Sequence, residues 1–150
     1  MKKAVILDEI SIDRKIKRLS YEIYERNLNK KKILLVGIKK NGFLLAKLIK
    51  KELRKICKLK IDVTQVLVDK QKPFAECVIH NESIKTNKNT SLIVIDDVCS
   101  SGKTMMYVIS SLISKFSNKI STLVLVDRKH HSFPVKADYV GIEVSTTLRQ

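Results

Sequence analysis

The sequence has no apolar run approaching the ~20 residues of a membrane span. Its first residues also lack the apolar stretch of a secretion signal. Cysteine is scarce: Cys57, Cys77 and Cys99 are odd in number and follow no ligand spacing, which suggests neither a disulfide framework nor a zinc motif. Acidic residues are in short supply, 15 Asp and Glu against 30 Lys and Arg. These absences lead to the expectation of a soluble, cytoplasmic protein with no membrane among its partners. The 150 residues suit one domain, 1–150, with a single sizeable core.

What is abundant is positive charge, and it is unevenly placed. The formal net charge is +15; residues 1–60 hold 19 Lys and Arg against 6 Asp and Glu, whereas residues 61–150 hold 11 against 9. Such asymmetry favours an anionic partner, nucleic acid first and polyphosphate ligands second. The alternative is a lysine-rich solvated surface. Lys outnumbers Arg 24 to 6, and Lys is a strongly hydrated point charge rather than a planar base-reading fork.

One stretch organises the rest: Ser91 to Thr104, SLIVIDDVCSSGKT. Leu92 to Ile95 is a β-branched apolar run suited to a buried strand. Two carboxylates follow, Asp96 and Asp97, then the small-residue turn Cys99-Ser100-Ser101-Gly102, then Lys103-Thr104 opening an amphipathic run. A strand, a tight turn and a helix start present backbone N–H groups at the positive end of a helix dipole, which suits a phosphate. The triphosphate-binding pattern G-x-x-x-x-G-K-[ST] fails, because Asp97 stands where its first glycine belongs. Two acids ahead of a phosphate turn fit a ligand with vicinal hydroxyls beside its phosphate, since carboxylates accept hydrogen bonds from a ribose diol. The stretch resembles the phosphoribosyl-diphosphate (PRPP) signature of type I phosphoribosyltransferases.

Along the rest of the chain, strand and helix patterns alternate. Ala4 to Leu7 is a short apolar lead-in, and Asp8 caps a helix with Ile12, Ile16, Leu19 and Ile23 on one stripe, ending near Asn27. Ile33 to Ile38 reads as a buried strand. Lys39-Lys40-Asn41-Gly42 follows as a second anion site, with Gly42 allowing unusual dihedrals and close approach to a diphosphate. The next helix buries Leu45, Leu48, Ile49, Leu53 and Ile56 and turns Lys47, Lys50, Lys51, Arg54, Lys55 and Lys58 outward, a nucleic-acid stripe or plain solvation. Ile61 to Val68 is a third strand. Residues 69–89 turn polar and are long for a connection, so a mobile active-site loop is expected, with Cys77 to Ile79 its only strand-like piece and His80 a lone exposed histidine. After the central motif, Met105, Val108, Ile109, Leu112 and Phe116 face inward. Ile120 to Val126 and Asp138 to Val144 form further strands, with Asp127-Arg128-Lys129-His130-His131 between them. This alternation calls for an α/β doubly wound sheet, with ligands outside the carboxyl ends of the strands. Lys39–Gly42, Ser100–Thr104 and Asp127–His131 should therefore converge.

The opening KAVILDEISI, the segment LLVGIKKNGFLLA, the PRPP motif and VLVDRKHHSFPVKADYVG are similar, in that order, to the pyrimidine operon attenuation regulator/uracil phosphoribosyltransferase family. The resemblance implies a type I phosphoribosyltransferase fold: a mainly parallel five-stranded sheet, helices on both faces, and a small, reduced hood. It implies PRPP and a nucleobase, most readily uracil, as ligands, Mg²⁺ as cofactor, a homodimer, and for the regulator itself binding of messenger RNA. On this resemblance Asp96 and Asp97 hold the ribose hydroxyls, and Ser100, Ser101, Gly102, Lys103 and Thr104 the 5′-phosphate. Lys39, Lys40, Asn41 and Gly42 form the diphosphate loop, and Asp127, Arg128 and the backbone at Tyr139 and Val140 border the base. Asp96, Asp97 and Lys40 are the catalytic candidates, and Mg²⁺ is held through PRPP with Asp96 and Asp97 at hand. The chain departs from the family in three places: K-K-N-G stands for K-T-R-G, VLVDKQ for a YRDD-type segment, and EVSTTLRQ lacks the proline of a V-P-T-S loop and stops before the family's terminal strand. Two other readings remain, an RNA-binding regulator with little or no catalysis and a purine (hypoxanthine-guanine) phosphoribosyltransferase. Against the latter, Ser100 stands where purine enzymes carry an acid.

Overall fold

Apolar runs too short for helices, separated by amphipathic stretches, leave the chain one economical arrangement: strands stacked side by side and helices laid over them. The computed structural model describes residues 7–68, 78–79, 85–116 and 118–145. In order these form α1 (Glu9–Arg26), β1 (Lys32–Ile38), α2 (Lys39–Ile56), β2 (Lys60–Leu67), β3 (Val78–Ile79), β4 (Thr90–Cys99), α3 (Lys103–Lys115), β5 (Ile120–Arg128) and β6 (Tyr139–Val144). The sheet order is β3-β2-β1-β4-β5-β6. Five strands are parallel, as the alternation predicts. The two-residue β3 adds an antiparallel edge, pairing Val66 with Ile79.

Both faces of the central strands are covered. Ile33, Leu35, Ile93 and Ile95 enter the cluster beneath α1 and α2, while Leu34, Val36, Leu92 and Val94 enter the one beneath α3. Successive side chains of a strand point to opposite faces. Burial on both is why these strands read as unbroken apolar runs. α1 starts where Asp8 accepts a 2.7 Å hydrogen bond from the Ser11 N–H, and it buries Ile16, Leu19 and Ile23. Its arginines hold the edge strand: Arg18 Nη2 donates to the Gly141 carbonyl at 2.7 Å, and Arg26 donates to the Asp138 carbonyl at 2.9 Å. These bonds occupy carbonyls that an open sheet edge would otherwise present to another chain.

Two expectations change. Leu48 is 47% exposed, because the buried stripe of α2 runs through Leu45, Ala46, Ile49 and Leu53. Lys39–Gly42 is no loop; it is the first turn of α2, entered directly from β1. Lys39 makes this possible by taking φ 55°, a left-handed backbone that costs a residue with a Cβ roughly 1 kcal/mol. Most of the 69–89 stretch, with Cys77 and His80, lies outside the described residues, as do Ala4–Ile6, residues 146–150 and part of what the small hood draws on. Among the described residues, no helix is long and apolar enough to cross a membrane.

Candidate active site

The chain leaves β1 through α2 for β2 on one side, and leaves β4 through α3 for β5 on the other. Between β1 and β4 the winding reverses, and the chains diverging there open a crevice beyond the carboxyl ends of the strands. That crevice has a volume of about 680 Å³ and is lined by Ile38–Asn41 from the β1 side and by Asp96–Met105 from the β4 side. Lys39–Asn41 and Ser100–Thr104, expected to converge, share this one cleft. Asp127 stands beside it as the register partner of Cys99.

The acid pair sits on the last stretch of β4, which runs further than the apolar residues alone require because Asp96, Val98 and Cys99 still pair with β5. Asp96 Oδ1 accepts from the Asp97 N–H at 2.9 Å, and Asp97 Oδ2 accepts from Asn41 Nδ2 at 3.2 Å. Burial, reinforced by a hydrogen bond and charge repulsion from Asp97, pushes the Asp96 carboxyl up to about 7; the Asp97 N–H and the nearby Lys39 charge pull the other way. A carboxyl at that value gains from any ligand that donates hydroxyl protons to its charged form.

The turn after β4 leads straight into the start of α3. Gly102 takes φ 86° as the residue before α3, the left-handed conformation that glycine adopts without strain. The first helical bond of α3 runs from the Met106 N–H to the Gly102 carbonyl at 3.0 Å, so the N–H groups ahead of it face out of the helix end. The Lys103 N–H is met by Ser101 Oγ at 3.2 Å. From behind, the N–H groups of Ser132 and Phe133 both donate to the Ser101 carbonyl at 3.0 Å. Nothing in the sequence signals this brace, since it joins backbone groups thirty or so positions apart.

The basic corner is partly as foreseen. Lys39, Lys40 and Asn41 line the cleft. Gly42 lies behind it, and its role is packing: a Cβ there would meet the Ile95 carbonyl at 2.5 Å, and its φ is not positive.

The base-bordering set divides. Arg128, at the carboxyl end of β5, points Nη1 toward Ser100 Oγ at 3.5 Å and pairs in register with Val144. Asp127 is buried and bonded to His131 Nε2. Tyr139 and Val140 are not among the residues that line the cleft. Across the parallel register Tyr139 is level with Leu123 and Ile95, and Val140 with Val124 and Asp96, two strands away from the acid pair. Tyr139 is only 3% exposed, its hydroxyl takes a 3.3 Å bond from Asn27 Nδ2, and the Arg26 guanidinium covers its ring at 4.6 Å. At the carboxyl end of β6, Glu143 and Val144 are the partners of Asp127 and Arg128.

Comparison with known proteins meets this geometry. The phosphoribosyl transferase domain family matches residues 5–147. The Bifunctional protein PyrR of Clostridium kluyveri is 36% identical over 151 residues, spanning 97% of this chain and 85% of its own. Its namesake from Streptococcus agalactiae is 36% identical, spanning 98% of this chain and 86% of its own. Among solved structures, a hypoxanthine phosphoribosyltransferase from Staphylococcus aureus superposes with a TM-score of 0.77 at 19% identity, covering 97% of this chain and 80% of that one. A hypoxanthine-guanine phosphoribosyltransferase from Bacillus anthracis gives 0.74 at 17% identity, covering 95% and 82%. At such identities the structural likeness speaks for the fold alone. The sequence match runs through the strand, the acid pair and the turn that frame the cleft, and by it this chain belongs to the phosphoribosyl transferase domain family, as a type I phosphoribosyltransferase related to PyrR.

Proposed function

We propose that this protein transfers the phosphoribosyl group of PRPP to a nucleobase, uracil first, and releases diphosphate. The observation that carries the reading is the meeting of the acid pair, the phosphate turn and the Lys39–Asn41 corner in one cleft of about 680 Å³. The turn of Ser100–Thr104 takes the 5′-phosphate and the Asp96 and Asp97 carboxylates accept from the ribose hydroxyls. Lys39 and Lys40 face the diphosphate and offset its charge as it departs. A base nitrogen forms a bond to C1 of the ribose while the C1–oxygen bond to diphosphate breaks, and the nitrogen's proton passes to solvent. Holding the two reactants in line supplies much of the acceleration.

Mg²⁺ fits the residues present. Asp96 and Asp97 give two carboxylates in the cleft, and the burial and mutual repulsion that raise the Asp96 carboxyl are what a hard cation relieves. Those two residues would hold it, and bound there it supplies charge neutralisation for the diphosphate.

The test is incubation with PRPP, Mg²⁺ and, in turn, uracil, hypoxanthine and guanine. Uridine monophosphate is the expected product. A purine nucleotide formed in its place would move the chain to the purine side, and absence of any nucleoside monophosphate would end the enzymatic reading.

A specific feature favours a second activity. Along α2, where it meets β2, runs a basic groove lined by Phe43, Lys47, Lys50, Lys51, Arg54 and Val63, with Lys47 Nζ 4.7 Å from the Phe43 ring centre. Cations interleaved with an aromatic suit RNA, and the sequence relatives carry the name bifunctional. RNA binding here would fall steeply with salt. Retention measured by filter binding that shows no salt dependence would remove it. By the same resemblance the assembly is a homodimer, which sedimentation equilibrium tests.

A further inference from the structure

A second group of reactive side chains stands at the edge of the cleft, where Cys99 is part of the lining. Cys99 and Asp127 are register partners at the ends of β4 and β5, and His131 returns over them from the β5–β6 connection. The Cys99 Sγ, an Asp127 carboxylate oxygen and a His131 ring nitrogen all lie within 4.8 Å of one another. Cys99 and Asp127 are 4% and 8% exposed. The cluster is therefore roofed, unlike the acidic patches common on protein surfaces.

The hydrogen bonds of the imidazole fix its orientation. Nδ1 lies 2.9 Å from the Val135 carbonyl, which can only accept, so Nδ1 carries a proton and donates. In the neutral ring Nε2 is then a lone pair, and it faces Asp127 Oδ1 at 2.5 Å, a second acceptor. Two acceptors meet so closely only with a proton or a metal cation between them. A histidine that donates Nδ1–H to a backbone carbonyl while Nε2 points at anionic ligands is also held as metal-ligating histidines are held. Thiol, carboxylate and imidazole make a mixed sulfur, oxygen and nitrogen set, whose softness selects Zn²⁺ over Mg²⁺.

We propose that Cys99, Asp127 and His131 form a Zn²⁺ site separate from the Asp96–Asp97 pair. Cys99 coordinates as thiolate, its proton released to solvent, with one Asp127 oxygen and His131 Nε2 beside it. Three protein ligands leave a fourth position for water or an incoming ligand. With bonds of ~2.0–2.3 Å the ligand atoms sit roughly 3.4 Å apart in a tetrahedral shell, so Asp127 and His131 separate by about an ångström on binding. The metal joins the residue just ahead of the phosphate turn to the connection whose Ser132 and Phe133 amides hold the Ser101 carbonyl. It therefore stiffens that turn. This inference rests on three side chains and is independent of whether the cleft transfers phosphoribose.

The test uses metal-stripped protein in excess Mg²⁺ with Zn²⁺ or Co²⁺ alone as probe. One equivalent of Zn²⁺ is expected per chain, with a rise in thermal midpoint as Zn²⁺ is added. Cys99→Ser and His131→Gln each abolish both, while the Asp97→Asn variant keeps them. In a Cys57→Ser/Cys77→Ser background Cys99 is the sole thiol. Co²⁺ there should give a thiolate-to-metal charge-transfer band, a reading that needs no change to the cluster itself. Failure to bind one equivalent, a cobalt spectrum lacking that band, or binding unaltered in Cys99→Ser would overturn the proposal.

Discussion

Asn41 Nδ2 donates to Asp97 Oδ2 across 3.2 Å, tying the first turn of α2 to the acid pair at the end of β4. The amide orients Asp97 but brings no charge, so the positive charge of this corner rests on Lys39 and Lys40. Asn41→Asp sets a carboxylate against Asp97 and against the diphosphate. Mg²⁺-PRPP affinity, measured by calorimetry, should fall by about tenfold or more, or ~1.4 kcal/mol. Asn41→Arg should move it the other way. No change in either variant would mean that the diphosphate lies elsewhere.

Asp96 gives the protein a pH dependence of definite sign. Its folded-state pKa, pushed up to about 7 from 3.8 chiefly by burial, means that the folded chain holds this proton more tightly than the unfolded chain. Stability is therefore greatest below the unfolded value, declines as pH rises through the window between the two, and is level above about 7, with a slope of at most ~1.4 kcal/mol per pH unit. Urea midpoints across this range should show the decline, and Asp96→Asn should flatten it. Because the ribose diol binds the carboxylate form, Mg²⁺-PRPP binding near pH 6 should release close to one proton. Calorimetry in buffers of different ionisation enthalpy reads that number directly.

The strands, the acid pair and the turn before α3 were legible because local chemistry dictates them. LIVI must be buried on both faces, and a Gly-Lys-Thr after small residues must turn into a helix. The α2 first turn was not, because a left-handed Lys39 abolishes the loop that four polar residues ordinarily signal. The setting of Tyr139 was not legible either: its surroundings mark a strand, but nothing local tells that its ring is buried beside Asn27 and Arg26 at the end of α1. Cys99, Asp127 and His131 carry no ligand spacing in sequence; pairing of β4 with β5 and the return of the β5–β6 connection bring them together.

Gly42→Ala tests how the cleft wall is packed. Its Cβ would stand 2.5 Å from the Ile95 carbonyl, a backbone atom that cannot rotate away, so α2 must back off β4. Overpacking of this kind costs about 1–3 kcal/mol, and displacement of Lys39–Asn41 should weaken PRPP binding as well. Gly102→Ala differs, since the nearest atom, Val135 Cβ, is 3.4 Å away and only the left-handed backbone resists, at roughly 1 kcal/mol. Denaturation midpoints should rank the two variants in that order.

Tyr139→Phe separates a structural tyrosine from a base contact. The change removes the hydroxyl that accepts from Asn27 Nδ2 at 3.3 Å, which should cost about 0.5–1.5 kcal/mol of stability. The KM for the base should stay at the wild-type value, as the hydroxyl faces Asn27 and the residue is not part of the cleft lining. A raised KM with unchanged stability would return Tyr139 to the base site.

Lys50→Glu/Lys51→Glu reverses two charges in the groove between α2 and β2 and touches nothing in the cleft. If RNA lies in that groove, each lysine that meets a phosphate contributes about 0.7 to the slope of log K against log salt for a single strand. The double variant should lower the magnitude of the slope by roughly 1.4 and leave nucleotide formation as it was. The outcome that defeats this assignment is a slope equal to that of the wild type, for then the phosphates are neutralised by lysines on some other face, and the charge on α2 serves only to keep the helix in water.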